Sequence, residues 1–414
     1  MCMTITYIDD LNVRDIRGKK LLIRVDFNVP MDESGNIIND LRIRSIMPTL
    51  NYALDEGCSI ILMSHMGRPG GKRVENLSLE PVARRLSRLL NKDVIMAKDC
   101  IGVQVQELSD LMRPEEVMLL ENLRFYPGET ANDDSFAREL AALADIYIND
   151  AFAVSHRAHA SIDAITKYFD IAAGGFLLRK ELNYFERAIE NPARPLVAIL
   201  GGMKVTDKLA ALENMLERVD KLIIGGAMAF TFLASMGYET GKSLVERDLI
   251  DRAGSIIESC REKGVKLYLP VDAVIANRFD EKADTRIVPV QEIPKDWMAM
   301  DIGPVTTHLF GLVIQDAKTI IWNGPMGVFE MNAFSRGTYA MISRVAGSYA
   351  LTIVGGGDTD VAVMNAGELP NISYLSTGGG AFIELLEGKK LPAVAALEEK
   401  SASAPVKEKK GKKK

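Results

Sequence analysis

Apolar residues fall along this chain in short dense runs separated by amphipathic stretches. In the first half, residues 21–25 (LLIRV), 60–63 (IILM), 117–120 (VMLL) and 146–148 (IYI) are such runs, and each ends in polar residues. Residues 47–56 and 81–91 between them carry helical patterns. A strand apolar on both faces must be covered on both faces, so this alternation predicts a parallel sheet with helices on either side. The second half repeats one phrase. Leu196–Leu200, Lys221–Ile224 and residues 319–322, 351–354 and 373–375 each run into a glycine-bearing turn. Each phrase reads as strand, turn and helix, which predicts a second doubly wound sheet.

Between the halves lies FLLRKELNYFERAIENPARP, residues 176–195. Leu178, Leu182, Phe185 and Ile189 recur at the period of one helix face, and Pro192 and Pro195 end the pattern. We read it as a helix joining two domains, which a chain of 414 residues is long enough to form. Residues 222–238 carry no charge, but Gly225-Gly226 divides them into a buried strand, a turn and a buried helix rather than a membrane span. After Leu391 the pattern fades, and SASAPVKEKKGKKK reads as a solvated, disordered basic tail over residues 401–414.

Composition narrows the function classes. The chain is 47% hydrophobic and 26% charged with a net charge of −6, an ordinary globular balance that argues against nucleic-acid binding. Cys2, Cys58, Cys100 and Cys260 form no CxxC pair, which fits a reducing, cytoplasmic setting without structural zinc. The start, MCMTITYIDD, has no basic-then-apolar signal pattern.

Doubly wound sheets bind ligands beyond the carboxyl ends of their strands. In the first half those positions hold Arg42, His65, Arg68, Arg124, His156 and Arg157. Arginine offers a planar fork of donors, so the cluster suits a small anionic metabolite. His156 and His159 lack further ligands nearby and make no zinc site. In the second half Lys204 and Lys208 follow Gly201-Gly202 one helical turn apart, placing two cations beside phosphates at a helix start. Asp358 follows three glycines and could meet Mg²⁺ carried by a nucleotide; Asp360 is a supporting or helix-start acid. GYETGKS is one residue short of a P-loop and follows no strand, and neither GxGxxG after a strand nor GxSxG occurs.

Nine segments carry a resemblance. RVDFNVP (24–30), SHMGRP (64–69), LLENLRF (119–125), SHRAHAS (155–161), LGGMKVTDK (200–208), GGAMAFTFL (225–233), WNGPMGVFE (322–330), GGGDT (355–359) and STGGGA (376–381) follow one another as in phosphoglycerate kinases. The helix with KELNYF is also similar. The resemblance implies a bilobal kinase that passes a phosphoryl group reversibly between 1,3-bisphosphoglycerate and ADP, giving 3-phosphoglycerate and ATP. It implies an N-terminal domain over 1–175, an interdomain helix over 176–195 and a nucleotide domain over 196–390. Residues 391–400 would pack back on the first domain. Asp26, Phe27, Asn28, Arg42, His65, Met66, Gly67, Arg68, Arg124, His156 and Arg157 would hold the glycerate ligand. Lys204, Lys208, Asn323, Glu330, Gly356, Gly357, Asp358 and Thr359 would hold Mg-ADP or Mg-ATP, with Asp358 toward the Mg²⁺ and Glu330 toward the ribose. A monomer with small-molecule partners only is expected, with no membrane or nucleic acid. Met203 departs from the family's usual small residue beside Lys204, and the basic tail is additional.

The chemistry agrees with the absence of an evident general base. In the ATP-consuming direction the nucleophile is a carboxylate, already ionised at neutral pH. Catalysis then rests on positioning and charge stabilisation, with Arg42 and Lys204 flanking the transferred group and domain closure expelling water. Two alternatives are a non-catalytic nucleotide-binding protein of the same fold and a kinase for another acyl phosphate such as that of acetate.

Overall fold

The computed structural model of the chain describes residues 5–403. The strands in chain order are β1 (Lys20–Val25), β2 (Ser59–Met63), β3 (Val94–Met96), β4 (Val117–Leu119), β5 (Ile146–Asp150), β6 (Ala172–Gly174), β7 (Leu196–Leu200), β8 (Lys221–Ile224), β9 (Lys266–Tyr268), β10 (Asp272–Ala276), β11 (Thr285–Pro289), β12 (Met298–Ile302), β13 (Thr319–Asn323), β14 (Leu351–Gly355) and β15 (Tyr374–Ser376). Two compact units emerge. One ends at Leu182 and resumes at Lys390; the other holds Asn183–Lys389.

In the first unit six parallel strands run in the order β3-β4-β2-β1-β5-β6. Every residue of β2 and β5 is buried, as expected of a sheet covered on both faces. Apolar side chains of β1, β2, β4 and β5 pack with Ile43, Leu50, Val82 and Leu86 of the covering helices. From β1 the chain builds outward through β2 in one direction, and from β5 through β6 in the other. The switch point therefore lies between β1 and β5, where ligands bind in such sheets.

The second unit repeats the plan, with parallel order β15-β14-β13-β7-β8-β9 and the switch between β7 and β13. Residues 222–238 form the end of β8, the Gly225-Gly226 turn and the helix Ala229–Ser235, most of whose residues are buried. No described helix is long and apolar enough to cross a membrane.

Four features depart from the sequence reading. First, a three-stranded antiparallel sheet, β11-β10-β12, lies in the second unit between two runs of parallel strands. Its strands β10 and β11 lack the glycine phrase that marked the others, and only β12 runs into a glycine, Gly303, and then a helix, Pro304–Ile314. Second, β13 is followed by an irregular stretch before the helix Arg336–Ala346, not by an immediate helix. Third, the linking helix is α-helical over Phe176–Phe185 and continues as a π-turn over Glu186–Glu190, and the division between units falls within it. It starts where Thr49 Oγ1 accepts from Phe176 N (3.0 Å) and Asp150 Oδ1 from Leu178 N (2.9 Å), satisfying amides that a helix start leaves free. Fourth, the helix Pro392–Ser403 runs three residues into the tail expected from residue 401. Alanine and leucine favour helix, proline sits at its first position, and Ala393, Val394 and Leu397 are buried against the first unit. The tail expected from residue 401 thus begins with the last turn of this helix; residues 404–414 lie outside the described residues.

Asp301 gives the second unit a pH dependence. Its Oδ2 accepts from Gly337 N (2.6 Å) and its Oδ1 from Ile302 N (2.9 Å), tying β12 to the helix Arg336–Ala346. Burial pushes its carboxyl up to about 7. The folded state then holds a proton that the unfolded chain releases near pH 4. Its contribution to stability is full below that and falls as pH rises to about 7, by roughly 1.4 kcal/mol per pH unit at most. Denaturant titrations of the parent and of Asp301→Asn should show this falling slope in the parent and its loss in the variant.

Candidate active site

The carboxyl ends of β1, β2 and β5 gather one set of predicted residues. Asp26 and Asn28 follow β1, and Asp26 Oδ1 accepts from Asn28 N at 3.1 Å. Arg42, in the helix Leu41–Ser45, donates through Nη1 to Asp26 and to Asn28 O. The Asn28 side chain accepts from Gly67 N (2.9 Å), and Gly67 O accepts from Arg124 Nη1 (2.7 Å). One chain of contacts thus links Arg42, Asp26, Asn28, Gly67 and Arg124. Gly67 has a positive φ of 59°, and a Cβ there would meet the end of the Leu77 side chain at 2.8 Å, so glycine is favoured. Phe27 and Met66 are buried beneath the loops.

Arg124 is the most informative member. It is 6% exposed, yet its Nε and Nη2 are buried without a hydrogen-bond partner. Burial, then Arg157 and Arg24, lower its pKa to about 10. Buried donors are normally satisfied, and an unsatisfied pair on a cation calls for an anion. His65 is held well below its usual range, first by burial and then by Arg24, Arg124, Arg157 and Arg42, so it is neutral. His156 accepts from Arg157 Nε through Nε2 (3.1 Å), and burial followed by Arg157 and His159 lowers it to about 4. The loop carrying these two residues is braced from the C-terminal helix, where Ala393 N donates to Ser155 O (3.1 Å). Arg68 is exposed. His159 turns inward instead, with Nδ1 3.6 Å from Glu129 Oε1. No group of three or more His, Cys, Asp or Glu side chains that could hold a metal ion exists among the described residues.

The second set lies at the ends of β7, β13 and β14. Glycines here let backbone approach backbone more than ligand. A Cβ at Gly201 would lie 2.2 Å from Pro325 O, and one at Gly226 would lie 2.5 Å from Gly202 N. Asn323 Nδ2 donates to Gly355 O (2.7 Å), and Thr359 Oγ1 accepts from Gly324 N (2.8 Å). Both side chains are buried, Asn323 bracing the ends of β13 and β14 and Thr359 bracing the helix after β14 to the turn after β13. Gly356, with φ of 116°, leads into the helix Gly357–Asn365, and nothing lies within 4 Å of where a Gly357 Cβ would sit. That open helix start presents free N–H groups with Asp358 exposed beside them, a geometry suited to phosphate.

Lys204 and Lys208 do not share a helix face. Lys204 sits exposed in the loop beside Met203, while Lys208 ends a short 3-10 turn, Thr206–Lys208. Lys208 is buried and donates to the carbonyls of Gly201 and Asn323, and burial lowers it to about 8. The turn is anchored by Glu246, whose carboxylate accepts from Val205 N and Thr206 N. Glu330 is exposed in the irregular stretch after β13.

Sequence reading overlooked Glu246 and the group beneath the first site: Arg24, Glu129 and Ser161. Arg24 had a visible signal, because an arginine inside an otherwise apolar strand is rarely buried without a purpose.

The model of the family described as phosphoglycerate kinase matches residues 8–389. A phosphoglycerate kinase of Geobacter metallireducens is 62% identical over 397 residues, covering 96% of this chain and 99% of the relative. One of Geotalea uraniireducens is 61% identical over the same length. Among solved structures, phosphoglycerate kinase from Coxiella burnetii superimposes with a TM-score of 0.86 at 41% identity, covering 97% of this chain and all of that one. The enzyme from Pyrococcus horikoshii gives 0.84 at 30% identity and covers 96% of this chain. With the family model and its relatives matched over nearly the whole length, the chain belongs to the phosphoglycerate kinase family.

Proposed function

We propose that the two strand-end clusters divide the substrates of the family's reaction: 3-phosphoglycerate or 1,3-bisphosphoglycerate on the first unit, ADP or ATP on the second. The chain is a phosphotransferase with a carboxyl acceptor. The observation that carries the glycerate assignment is Arg124, buried beside Arg24 and Arg157 with two guanidinium nitrogens unmatched. A carboxylate and a distal phosphate on one small ligand would satisfy such donors; acetate, with one anionic end, would leave part of them unmatched.

On the second unit the open amides at Gly357–Thr359 would take phosphate oxygens, and exposed Lys204 would meet the transferred group. Lys208, an ammonium below about pH 8, has one N–H left after its two carbonyls, and phosphate nearby would hold it in that charged form. Glu330 would face the ribose. Mg²⁺ is held by few carboxylates and several waters, so Asp358 alone on the protein fits an ion carried by the nucleotide; that ion would neutralise phosphate oxygens. Arg42 has its Nη1 committed to Asp26 and Asn28, which aims the remaining donors at the acyl phosphate. No group has to move a proton, because the acceptor carboxylate is already ionised. The resemblance further supports closure of the units about bound ligands, a monomeric state and a cytoplasmic setting.

ATP formation from ADP should be rapid with 1,3-bisphosphoglycerate in a coupled assay and at least about a hundredfold slower with acetyl phosphate. Equal rates would reject the assignment, and no turnover with either would restore the non-catalytic alternative.

A further inference from the structure

Arg24 lies wholly buried on β1, and its guanidinium is held on several sides. Its Nε donates to Ser161 Oγ (2.8 Å), its Nη1 donates to Val25 O, and its Nη2 lies 3.9 Å from Glu129 Oε1. Ser161 completes the link, donating through Oγ to Glu129 Oε1 (2.7 Å) and through its amide to Oε2 (3.0 Å). Glu129 is also fully buried. Burial would raise its carboxyl, but His159, Arg24 and Ser161 outweigh that and keep it ionised. A buried ion pair costs more in desolvation than it returns unless geometry matters, so its placement under a binding site suggests a task.

The task follows from the remaining contact. Arg24 Nη2 is 3.3 Å from His65 Nδ1. A guanidinium has only donors, so Nδ1 must offer its lone pair. On a neutral imidazole the proton then sits on Nε2. We propose that Arg24, bolted by Glu129 through Ser161, is a positioning residue that fixes His65 as the Nε2–H tautomer, a donor offered to the anionic ligand. This rests on the assignment of the first cluster to the glycerate ligand.

The charged groups facing His65 are Arg24, Arg42, Arg124, Arg157 and Asp26. Asp26 is the competitor, with Oδ1 3.7 Å from the same Nδ1. It already accepts from Arg42 and Asn28 N. Without Arg24, Nδ1 would take a proton, turn toward Asp26 and draw that carboxylate from Arg42. Arg24 thereby keeps two neighbouring binding groups from pairing with each other.

Long-range ¹H–¹⁵N NMR of histidine-labelled, ligand-free protein tests this, with the His65 signal identified by its loss in His65→Gln. The expected spectrum shows Nε2 protonated and Nδ1 bare, unchanged between about pH 5.5 and 8.5. Nδ1 protonation, or titration within that range, would overturn the proposal. In Arg24→Met, His65 should gain an Nδ1 proton and titrate. KM for 3-phosphoglycerate should rise roughly tenfold or more and become pH-dependent, while KM for ATP stays put. An Arg24→Met enzyme that keeps the tautomer and loses only turnover would mean a purely structural role and defeat the idea. Should that variant not fold, the parent spectrum still decides. Because the spectra need no ligand, they succeed or fail separately from the substrate assignment.

Discussion

Arg42→Ala should lower turnover by roughly a hundredfold to a thousandfold, about 3–4 kcal/mol of transition-state stabilisation, with KM for the nucleotide little changed. The reasoning starts from the reaction. A transferred phosphoryl group spreads negative charge over its oxygens in a loose transition state, and preorganised cations lower that barrier most. Arg42 is about one-third exposed in its side chain and is oriented by Asp26 and Asn28, so it is preorganised without being used up. Alanine removes the donor fork and leaves Asp26 with an unmatched charge. Steady-state kinetics in both directions measure the effect. Turnover within about threefold of the parent would remove Arg42 from the transition state and leave it a structural partner of Asp26.

Gly324→Ala should destabilise the second unit by about 3–5 kcal/mol, the sum of backbone strain and overpacking. Gly324 follows β13 at the switch point with φ of 95°, where an L side chain is strained. A Cβ there would lie 2.3 Å from Gly201 O and 2.3 Å from Lys208 Nζ, so backbone from β7 and the buried ammonium would both have to move. The two tryptophans, Trp297 and Trp322, both belong to this unit, and Trp322 Nε1 donates to Gly324 O (2.7 Å). Fluorescence-detected urea unfolding therefore reads the right region. Gly357→Ala is the control: its Cβ would meet nothing within 4 Å, and its stability should stay within about 0.5 kcal/mol. Equal midpoints for the two variants would show that the switch-point backbone can relax.

These variants also separate two meanings of glycine that look alike in a sequence. The repeated glycine turns mark where strands end, and that much is legible from the chain. At Gly201, Gly226 and Gly324 the missing side chain admits another backbone, whereas at Gly357 it leaves room open to a ligand. Spacing along the chain cannot separate these cases, because the close neighbour arrives from a distant strand.

The sequence by itself determined the two parallel sheets, the linking helix and most of the cationic residues at the strand ends, because apolar runs and helical periods are local signals. It did not determine the antiparallel strands β10–β12 or the C-terminal helix, whose patterns are short and gain their burial only from distant partners. Tertiary structure alone separated exposed Lys204 from buried Lys208, and it turned His159 inward to Glu129 while His65 faces Arg24. It also placed Glu129 and Ser161 beneath residues far away in the chain. Burial and charge pairing decide what a titratable group does, and both are set by neighbours that are remote along the chain and close only once it is folded.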